Sequence, residues 1–559
     1  MSSRINRTIL PLILCGALLA GCSGGAAASA EAAAAVSETD SGTAVAAPAE
    51  TIDTGALFST RDMDAGYDES AAVPIRLNGD TALCSSSAVT IEGGKITLLA
   101  EGVYILSGTL EDGQVVVDAG NGDKVQIVLS GADITCASSA AIYCREADKV
   151  FLTLAAGTEN SLANSGSFQP VDDSNIDAVV FSKTDLTLNG SGSLTVTSPG
   201  GHGVISKDEL TVTGGSYTVT AAKHGFTGKD SVAIAGGSFT ITSGSDGIHA
   251  ENADDAAKGF LYIADGSFTI DAQGDAISAS GQLQIDGGSY ALTAGGGSES
   301  ATMKAGDTMQ RPGFRDFSSA VASPDAADAT EDTGSCKGIK ADGTLTVNGG
   351  SFDLDTADDA VHSGADVTIT GGEWTIRTGD DGIHADAAVI IQTGRFTISD
   401  CYEGVEGQYV TIHGGTLDIT ARDDGINAAG GADGSGTAYG FGRQDPFAVD
   451  DSCAITVNGG EITIVSDGDC LDSNGSLTIN GGTLKLSCSG NGNTAIDSNG
   501  AYANNGGSIT TNDGSESGAG GMGGGRGMGG GKPFGAEKAG GAGMSREPGQ
   551  QRPMPGAAA

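Results

Sequence analysis

Four successive copies of one pattern decide the fold: TLTVNGGSFDLDTADDAVHSG from 344, DVTITGGEWTIRTGDDGIHAD from 366, AVIIQTGRFTISDCYEGVEGQ from 388 and YVTIHGGTLDITARDDGINAA from 409. The paired small residues in these copies begin at Gly349, Gly371, Thr393 and Gly414, so the steps are 22, 22 and 21 residues. A step this regular between Thr344 and Asn427 indicates a structural repeat.

Each copy carries an alternating run in which the apolar residues share one parity, and side chains two apart on a strand face the same side. The residues of this parity are Phe352, Leu354, Trp374, Ile376, Phe396, Ile398, Leu417 and Ile419. One copy cannot bury that face alone, but stacked coils build a continuous core and pair their strand backbones. The pattern therefore predicts an all-β fold, a parallel β-helix. It also favours a core position for Trp374 over a sugar-stacking one.

The composition divides the chain into four parts. Residues 1–22 have a basic start, a short apolar core and the sequence LAGC ending at Cys22, which predicts a lipoprotein signal peptide with lipidation of that cysteine. Residues 23–55 predict a flexible tether. We expect the β-helix over 56–507, with insertions at about 296–335 and 430–450. The Gly/Met-rich tail, 508–559, is predicted to be disordered.

The charge balance is strongly acidic, with 71 acidic and 28 basic residues and a formal net charge of -43. This charge argues against nucleic acid and anionic membrane surfaces as partners. It favours cations or neutral ligands. An acidic polysaccharide would need divalent bridges or a local basic patch. An equally weighted interpretation is that the acidic surface keeps an exported repeat protein soluble.

Eight cysteines remain beyond Cys15 and Cys22, and none forms the CxxC spacing of a zinc site. Two interpretations stay open. The pairs nearest in sequence, Cys136 with Cys144 and Cys470 with Cys488, could form disulfides after export. Alternatively, the cysteines are buried small apolar residues.

Acidic residues recur at one place in each copy and again two or three positions later. Stacked coils would bring these carboxylates close together, where like charges repel and a hard cation with oxygen ligands, above all calcium, would relieve the repulsion. The predicted ligands are Asp246, Asp358, Asp359, Asp380, Asp381, Glu403, Glu406, Asp423, Asp424, Asp469 and Asp472. Glu403 and Glu406 are the best candidates for one shared site. The alternative is that Asp and Asn only cap turns here.

Other residues occupy the later of these two positions, among them His249, His362, His384, Asn427 and Asp497. His362 and His384 stand one coil apart, which could suggest a transition metal or a general base. Because they neighbour inward aliphatic residues, we expect them to point outward as a polar ladder without a catalytic role.

The phrases EGVYILSGTLEDGQVVVDAG, ADITCASSAAIYCREADKVFLTLAAGT and DLTLNGSGSLTVTSPGGHGVISKDELTVTGGSY, followed by DGIHA, KGIKA and DDGIHAD, resemble the bacterial lipid-anchored carbohydrate-binding β-helix family. The resemblance covers roughly 89–500. It implies a right-handed parallel β-helix similar to pectate-type polysaccharide lyases, bound calcium, and binding of polysaccharides such as cellulose and polygalacturonate. Lys223-His224-Gly225 departs from the family's Lys-Asp-Gly, which weakens any ligand role for that coil.

Two other functions compete. A polysaccharide lyase would need calcium and a nearby basic residue, for which Lys337, Lys340, Arg377 and Arg422 are candidates. A structural surface rod or adhesin with a protein partner would suit the tether and tail. The expectation is a non-catalytic, monomeric polysaccharide-binding lipoprotein outside the cell, in contact with the membrane only through its lipid anchor.

Overall fold

The structure is a computed structural model that describes residues 52–170, 174–301, 334–429, 449–490 and 492–518. These residues are nearly all β: they contain 43 strands, one short helix, α1 (Thr60–Met63), and two 3-10 helices, Ser298–Ser300 and Ser515–Ser517. The all-β prediction is confirmed. Within the described ranges no helix is long and apolar enough to cross a membrane. The predicted signal peptide, with Cys22, and most of the predicted tether lie outside them.

Almost all of the strands belong to three ladders of parallel pairs, in which each strand pairs with the equivalent strand of the next copy. Ladder A consists of β1 Val73–Gly79, β5 Gly102–Leu110, β7 Lys124–Cys136, β10 Glu159–Asn164, β13 Ser193–Ser198, β16 Ser216–Ala221, β19 Ser238–Ser243, β22 Ser267–Ala272, β25 Ser289–Ala294, β28 Ser351–Thr356, β31 Glu373–Thr378, β33 Arg395–Cys401, β35 Thr416–Ala421, β38 Glu461–Ser466, β41 Thr483–Cys488 and β43 Ser508–Thr511. Ladder B consists of β4 Lys95–Leu98, β6 Gln114–Asp118, β8 Ile142–Glu146, β11 Ala178–Ser182, β14 His202–Ser206, β17 Phe226–Gly228, β20 Ile248–Ala250, β23 Ile277–Ala279, β26 Ile339–Ala341, β29 Val361–Ser363, β32 Ile383–Ile391, β34 Val405–Ile412, β36 Ile426–Ala428 and β39 Leu471–Ser473.

Ladder C shares β1, β5 and β7 with ladder A, and it shares β32 and β34 with ladder B. Its remaining members are β9 Lys149–Leu154, β12 Asp185–Gly190, β15 Glu209–Val212, β18 Ser231–Ile234, β21 Phe260–Ile263, β24 Leu283–Ile285, β27 Leu345–Val347, β30 Val367–Ile369, β37 Ala454–Val457, β40 Ser476–Ile479 and β42 Tyr502–Asn504. Two short antiparallel pairs start the fold, one between β1 and β2 (Thr81–Leu83) and one between β3 (Val89–Glu92) and β4.

The ladders continue on both sides of the two predicted insertions. Tyr290 of β25 pairs directly with Phe352 of β28, and Leu417 of β35 pairs with Ile462 of β38. Each pair therefore joins neighbouring coils although the chain between them is long. At the other end β43 pairs with β41, so the ladder continues past residue 507, where the sequence analysis ended it.

The inner face of ladder A carries a column of stacked aromatic rings. Ring centroids lie 4.9 Å apart between Phe268 and Tyr290, 4.7 Å between Tyr290 and Phe352, and 3.8 Å between Phe352 and Trp374. Trp374 is 2% exposed, so its predicted core position is confirmed. The parallel register makes this possible, because it sets the same position of each coil directly over the last.

Steric constraints explain why the second position of each turn before ladder A is a glycine. Gly372 has a φ of 105°, a left-handed conformation that side chains rarely adopt. A Cβ there would also lie 2.9 Å from Nε1 of Trp374. This explains why the third copy keeps Gly394 while its first turn residue is Thr393.

We predict that Trp374→Ala lowers the free energy of unfolding by about 3–5 kcal/mol, because it opens a cavity inside the aromatic column. The neighbouring exposed Thr375→Ala is the matched control and should stay within about 0.5 kcal/mol of the parent. Urea denaturation followed by far-UV circular dichroism measures both. If both substitutions lowered the free energy of unfolding equally, the aromatic column would not be a special source of stability.

Candidate metal centre

Polar residues form two columns at the turn where ladder A leads into ladder B, which we call the A–B corner. The corner column lies two positions before the apolar residues that stack at the start of ladder B, from Val204 to Ile496, and comprises His202, His224, Asp246, Asp275, Lys337, Asp359, Asp381, Glu403, Asp424, Asp469 and Thr494. The strand column lies three residues later and stacks in register: Thr227, His249, Ser278, Lys340, His362, His384, Glu406, Asn427 and Asp472. Asp497 follows, beside the bridge between Leu471 and Ile496.

The corner column has a structural role in holding successive coils together. Oδ1 of Asp359 accepts the backbone N–H of Asp381 at 3.1 Å, and Oδ1 of Asp381 accepts that of Glu403 at 3.0 Å. Asp424 accepts the N–H of Asp469 in the same way at 2.6 Å. Turn capping therefore accounts for Oδ1 of Asp359, Asp381 and Asp424, and the second oxygen of each carboxylate takes no part in the cap.

Three groups of side chains bring ligand atoms within 4.8 Å of one another. The first consists of Asp358, Asp359 and Asp380, and it has a cation from the protein itself. Nζ of Lys337 lies 2.9 Å from Oδ1 of Asp358 and 2.8 Å from Oδ2 of Asp359. Burial alone would raise the pKa of Asp359, but Lys337 and the hydrogen bond with His362 hold it below its ordinary value.

The second group, Asp381, His384 and Glu406, is fully buried. Nδ1 of His384 lies 2.9 Å from Oε2 of Glu406 and 3.4 Å from Oδ2 of Asp381. Burial lowers the pKa of His384, but those two carboxylates outweigh it and raise the pKa to about 11. Burial and the neighbouring carboxylates raise the pKa of Asp381 well above its usual value. The imidazolium therefore supplies one positive charge to a site with excess negative charge.

Two buried oxygens beside this group lack a partner. Oε1 of Glu406 and Oδ1 of Asn427 are enclosed and accept no hydrogen bond from any described residue. The amide nitrogen of Asn427 meanwhile donates to both oxygens of Glu403, at 3.0 and 2.9 Å. Leaving buried acceptors unpaired is costly, and a cation is one way to satisfy them.

The third group, Asp469, Asp472 and Asp497, contains only oxygen ligands and is half-buried, so it is reachable from solvent. None of the three has an ion pair with a described residue. Burial and then its carboxylate neighbours raise the pKa of Asp469 to about 7, and burial and Asp497 raise that of Asp472 to about 6. Asp424, next in the corner column, has its pKa raised well above normal by burial and by Asp472. An all-oxygen set without a protein cation suits calcium.

The remaining predicted ligands lie outside these groups: Asp246, Glu403 and Asp424 belong to the corner column, and Asp423 directly precedes Asp424. Asp246 accepts the N–H of Asp275 at 2.9 Å and lies 3.2 Å from Nδ1 of His249. Glu403 is held by Asn427, as described above. Asp423 and Asp424 adjoin the third group, and they are half-exposed.

The solvent exposure of His362 and His384 differs from the prediction. His362 and His384 do stack, with ring centroids 5.0 Å apart, but they are only 8% and 1% exposed instead of facing solvent. They are buried against carboxylates of the same corner: Nδ1 of His362 lies 2.9 Å from Oδ2 of Asp359, and Nδ1 of His384 lies 2.9 Å from Oε2 of Glu406. His384, Asn427 and Asp497 thus join the site although they were absent from the predicted ligand set. Their position three residues after the corner was the available signal.

The basic residues considered for lyase chemistry are all engaged. Lys337 is 4% exposed between two aspartates, and Nζ of Lys340 lies 3.6 Å from Asp275. Arg377 contacts Asp355 at 3.3 Å. Arg422 donates to the carbonyl of Gly379 at 2.7 Å. The eight described cysteines are all free thiols, and six of them are buried.

A family profile matches residues 92–382 and 379–517 and describes a carbohydrate-binding domain-containing protein. The chain belongs to this family. A carbohydrate-binding domain-containing protein of Acetivibrio thermocellus is 35% identical over 135 residues, which are 24% of this chain and 47% of the relative. This chain thus covers about half the length of that family member.

One solved structure is also similar, a gadolinium derivative of the polysaccharide lyase-like protein from C. thermocellum. Its sequence identity is 26% and its TM-score 0.38. The match covers 54% of this chain and 97% of that one.

The pKa shifts predict how stability depends on pH when divalent cations are removed by a chelator. An aspartate with a pKa of 3.8 when unfolded and about 7 when folded holds its proton only in the folded state between those values. Its stabilising contribution is therefore present at low pH and is lost as the pH rises towards 7. We expect the melting temperature to fall by a few degrees between pH 5 and pH 8.

The variant Asp469→Asn tests this assignment, because it keeps the Oδ1 acceptor and removes the charge. It should raise the melting temperature at pH 8 and change it little at pH 5. Exposed Asp418→Asn removes the same charge away from the corner and is the control. A gain at pH 8 that is equal in both variants would mean that net charge, not the corner, sets the pH dependence.

Proposed function

We propose that this chain is a non-catalytic, polysaccharide-binding lipoprotein of the cell surface. It is anchored through a lipid on Cys22 and is built as a right-handed parallel β-helix that calcium stabilises at the A–B corner. Its ligand belongs to the cellulose or polygalacturonate class. The protein acts as a monomer, contacts the membrane only through its lipid, and has no nucleic-acid partner.

The observation that carries the proposal is the pair of family matches. Together they span residues 92–517, which is almost the whole region of the three ladders. The function the family is named for is carbohydrate binding, and the match leaves no large described segment to carry a different function. The parallel pairing of equivalent strands along three ladders supports the β-helix.

The chemistry of the third group supports calcium. Asp469, Asp472 and Asp497 offer hard oxygen ligands on a partly open surface, which gives the ion a route to the site. When bound, calcium would offset the repulsion among these carboxylates and join successive coils. The second group contains a histidine that already provides a positive charge, and the first has Lys337, so we rank both below it.

The pairing of the basic residues supports a role without catalysis. A lyase base must be neutral and reach the proton beside the uronate carboxylate. Nζ of Lys337 lies 2.9 and 2.8 Å from two carboxylates inside the corner, and Arg422 donates to backbone carbonyls, so neither side chain extends towards a substrate.

We predict that the full chain binds polygalacturonate or cello-oligosaccharides in calorimetric titrations, with no rise in the absorbance of unsaturated sugar products. Calcium should raise the melting temperature, with about 2.7 kcal/mol of stabilisation at 100 times its Kd. The double substitution Asp472→Asn with Asp497→Asn should remove most of that calcium effect, while Asp418→Asn should keep it.

The outcomes separate the alternatives. A steady absorbance rise would make the protein a lyase. An absence of glycan binding under all conditions would contradict the proposal and favour a structural rod or adhesin. Glycan binding without any calcium effect would keep the binding function and remove the metal from it.

A further inference from the structure

A short N-terminal segment, residues 58–67, crosses ladder C near the start of the fold, and we call it the strap. Its anchor is Asp62, which is 2% exposed. Oδ1 of Asp62 lies 2.8 Å from Nζ of Lys149 and accepts the hydroxyl of Thr187 at 2.6 Å. Ser59 and Asp62 also form a capping box around α1. These buried polar bonds fix the strap rigidly against the strands.

Further contacts extend the strap over several coils. Arg61 donates to Oε1 of Gln126 at 2.6 Å, and its guanidinium lies 4.9 Å from the centroid of the Phe151 ring. The ring of Phe58 lies 6.1 Å from that of Tyr262. The strap therefore packs against ladder C over several coils.

A cleft of about 400 Å³ lies between the strap and the turns that follow β9 and β12. That volume falls in the range of small-ligand sites, roughly 300–1,000 Å³. The lining combines an aromatic ring, a thioether, hydroxyls and an amide, from Met63, Tyr67, Thr153, Asn189, Ser191 and Thr213. It includes no charged side chain, although the whole chain has a net charge of -43.

Two side chains on the open side of the cleft are available to a ligand. Met63 is 57% exposed, and Tyr67 is half-buried with a hydroxyl that makes no hydrogen bond to any described residue. The hydroxyl of Ser191 is equally without a hydrogen bond inside the described ranges. Below them Asn189 and Thr153 are already bonded to each other at 2.6 Å, so the floor is preorganised.

We propose that this cleft is a subsite for a neutral glycan unit, stacked on the Tyr67 ring and hydrogen-bonded by hydroxyls at its rim. A sugar ring offers an apolar C–H face and peripheral hydroxyls, which is the combination that the lining complements. An anionic uronate is disfavoured, because the lining offers no charged side chain, Lys149 is paired with Asp62, and Arg61 of the strap donates to Gln126. The proposal rests on the proposed function. It adds where on the protein the glycan binds and that the bound sugar unit is uncharged.

The test uses the full chain carrying Tyr67→Trp, which keeps a stacking ring and adds a fluorophore. Trp374 is the one native tryptophan and is buried in the core, so its signal should stay constant. Cellohexaose, xylohexaose and mannohexaose are the neutral probes, and hexagalacturonate is the charged one. At least one neutral probe should shift the emission of the Y67W protein. Tyr67→Ala should weaken binding of that probe about tenfold or more.

Tyr409 provides the matched control, since it is 43% exposed on β34 and does not line the cleft. Tyr409→Trp should not respond to the probes, and Tyr409→Ala should bind them like the parent. Parent-like affinity of Y67A together with a silent Y67W protein would overturn the subsite and leave the proposed function intact. Failure of the unmodified chain to bind any neutral or charged probe would overturn both. Melting temperatures of the variants verify that each is folded.

Discussion

Parallel in-register stacking is the constraint on which the rest of this structure depends. Strands of neighbouring coils lie about 4.8 Å apart, so a residue type that recurs in the sequence meets its own kind in space. On the inner face this is favourable, because Tyr290, Phe352 and Trp374 stack ring on ring. At the A–B corner the same rule sets carboxylate over carboxylate, where like charges repel.

The chain relieves that repulsion differently along the corner. Where Lys337 and Lys340 occupy the two columns, ammonium groups compensate Asp358, Asp359 and Asp275. One step further on, the His384 imidazolium does so for two carboxylates. In the last coils, around Asp469, no described basic residue takes this role, and burial with the neighbouring carboxylates raises the pKa of Asp469 to about 7. The carboxylates at the C-terminal end of the ladder therefore have the least compensation from described basic residues.

The periodic part of this account could be predicted from the sequence, and the aperiodic part could not. Parity alone assigned Phe352 and Trp374 to the core, because a strand has only two faces. The ion pair from Lys337 to Asp359 depends on how far a flexible side chain reaches into the next coil. Burial of His384 depends on how the side chains of Asp381 and Glu406 pack against its ring. The cleft beside Tyr67 belongs to a strap outside the repeat, so no periodicity indicated it.

We propose that the carboxylates of the last coils hold a cation between them. X-ray diffraction from crystals grown with calcium, using the anomalous signal of the ion, tests it most directly. We expect an anomalous difference peak between the carboxylate oxygens of Asp469, Asp472 and Asp497. The distance from the peak to each oxygen should be about 2.3–2.6 Å, as calcium requires. A well-ordered corner without such a peak at saturating calcium would contradict it.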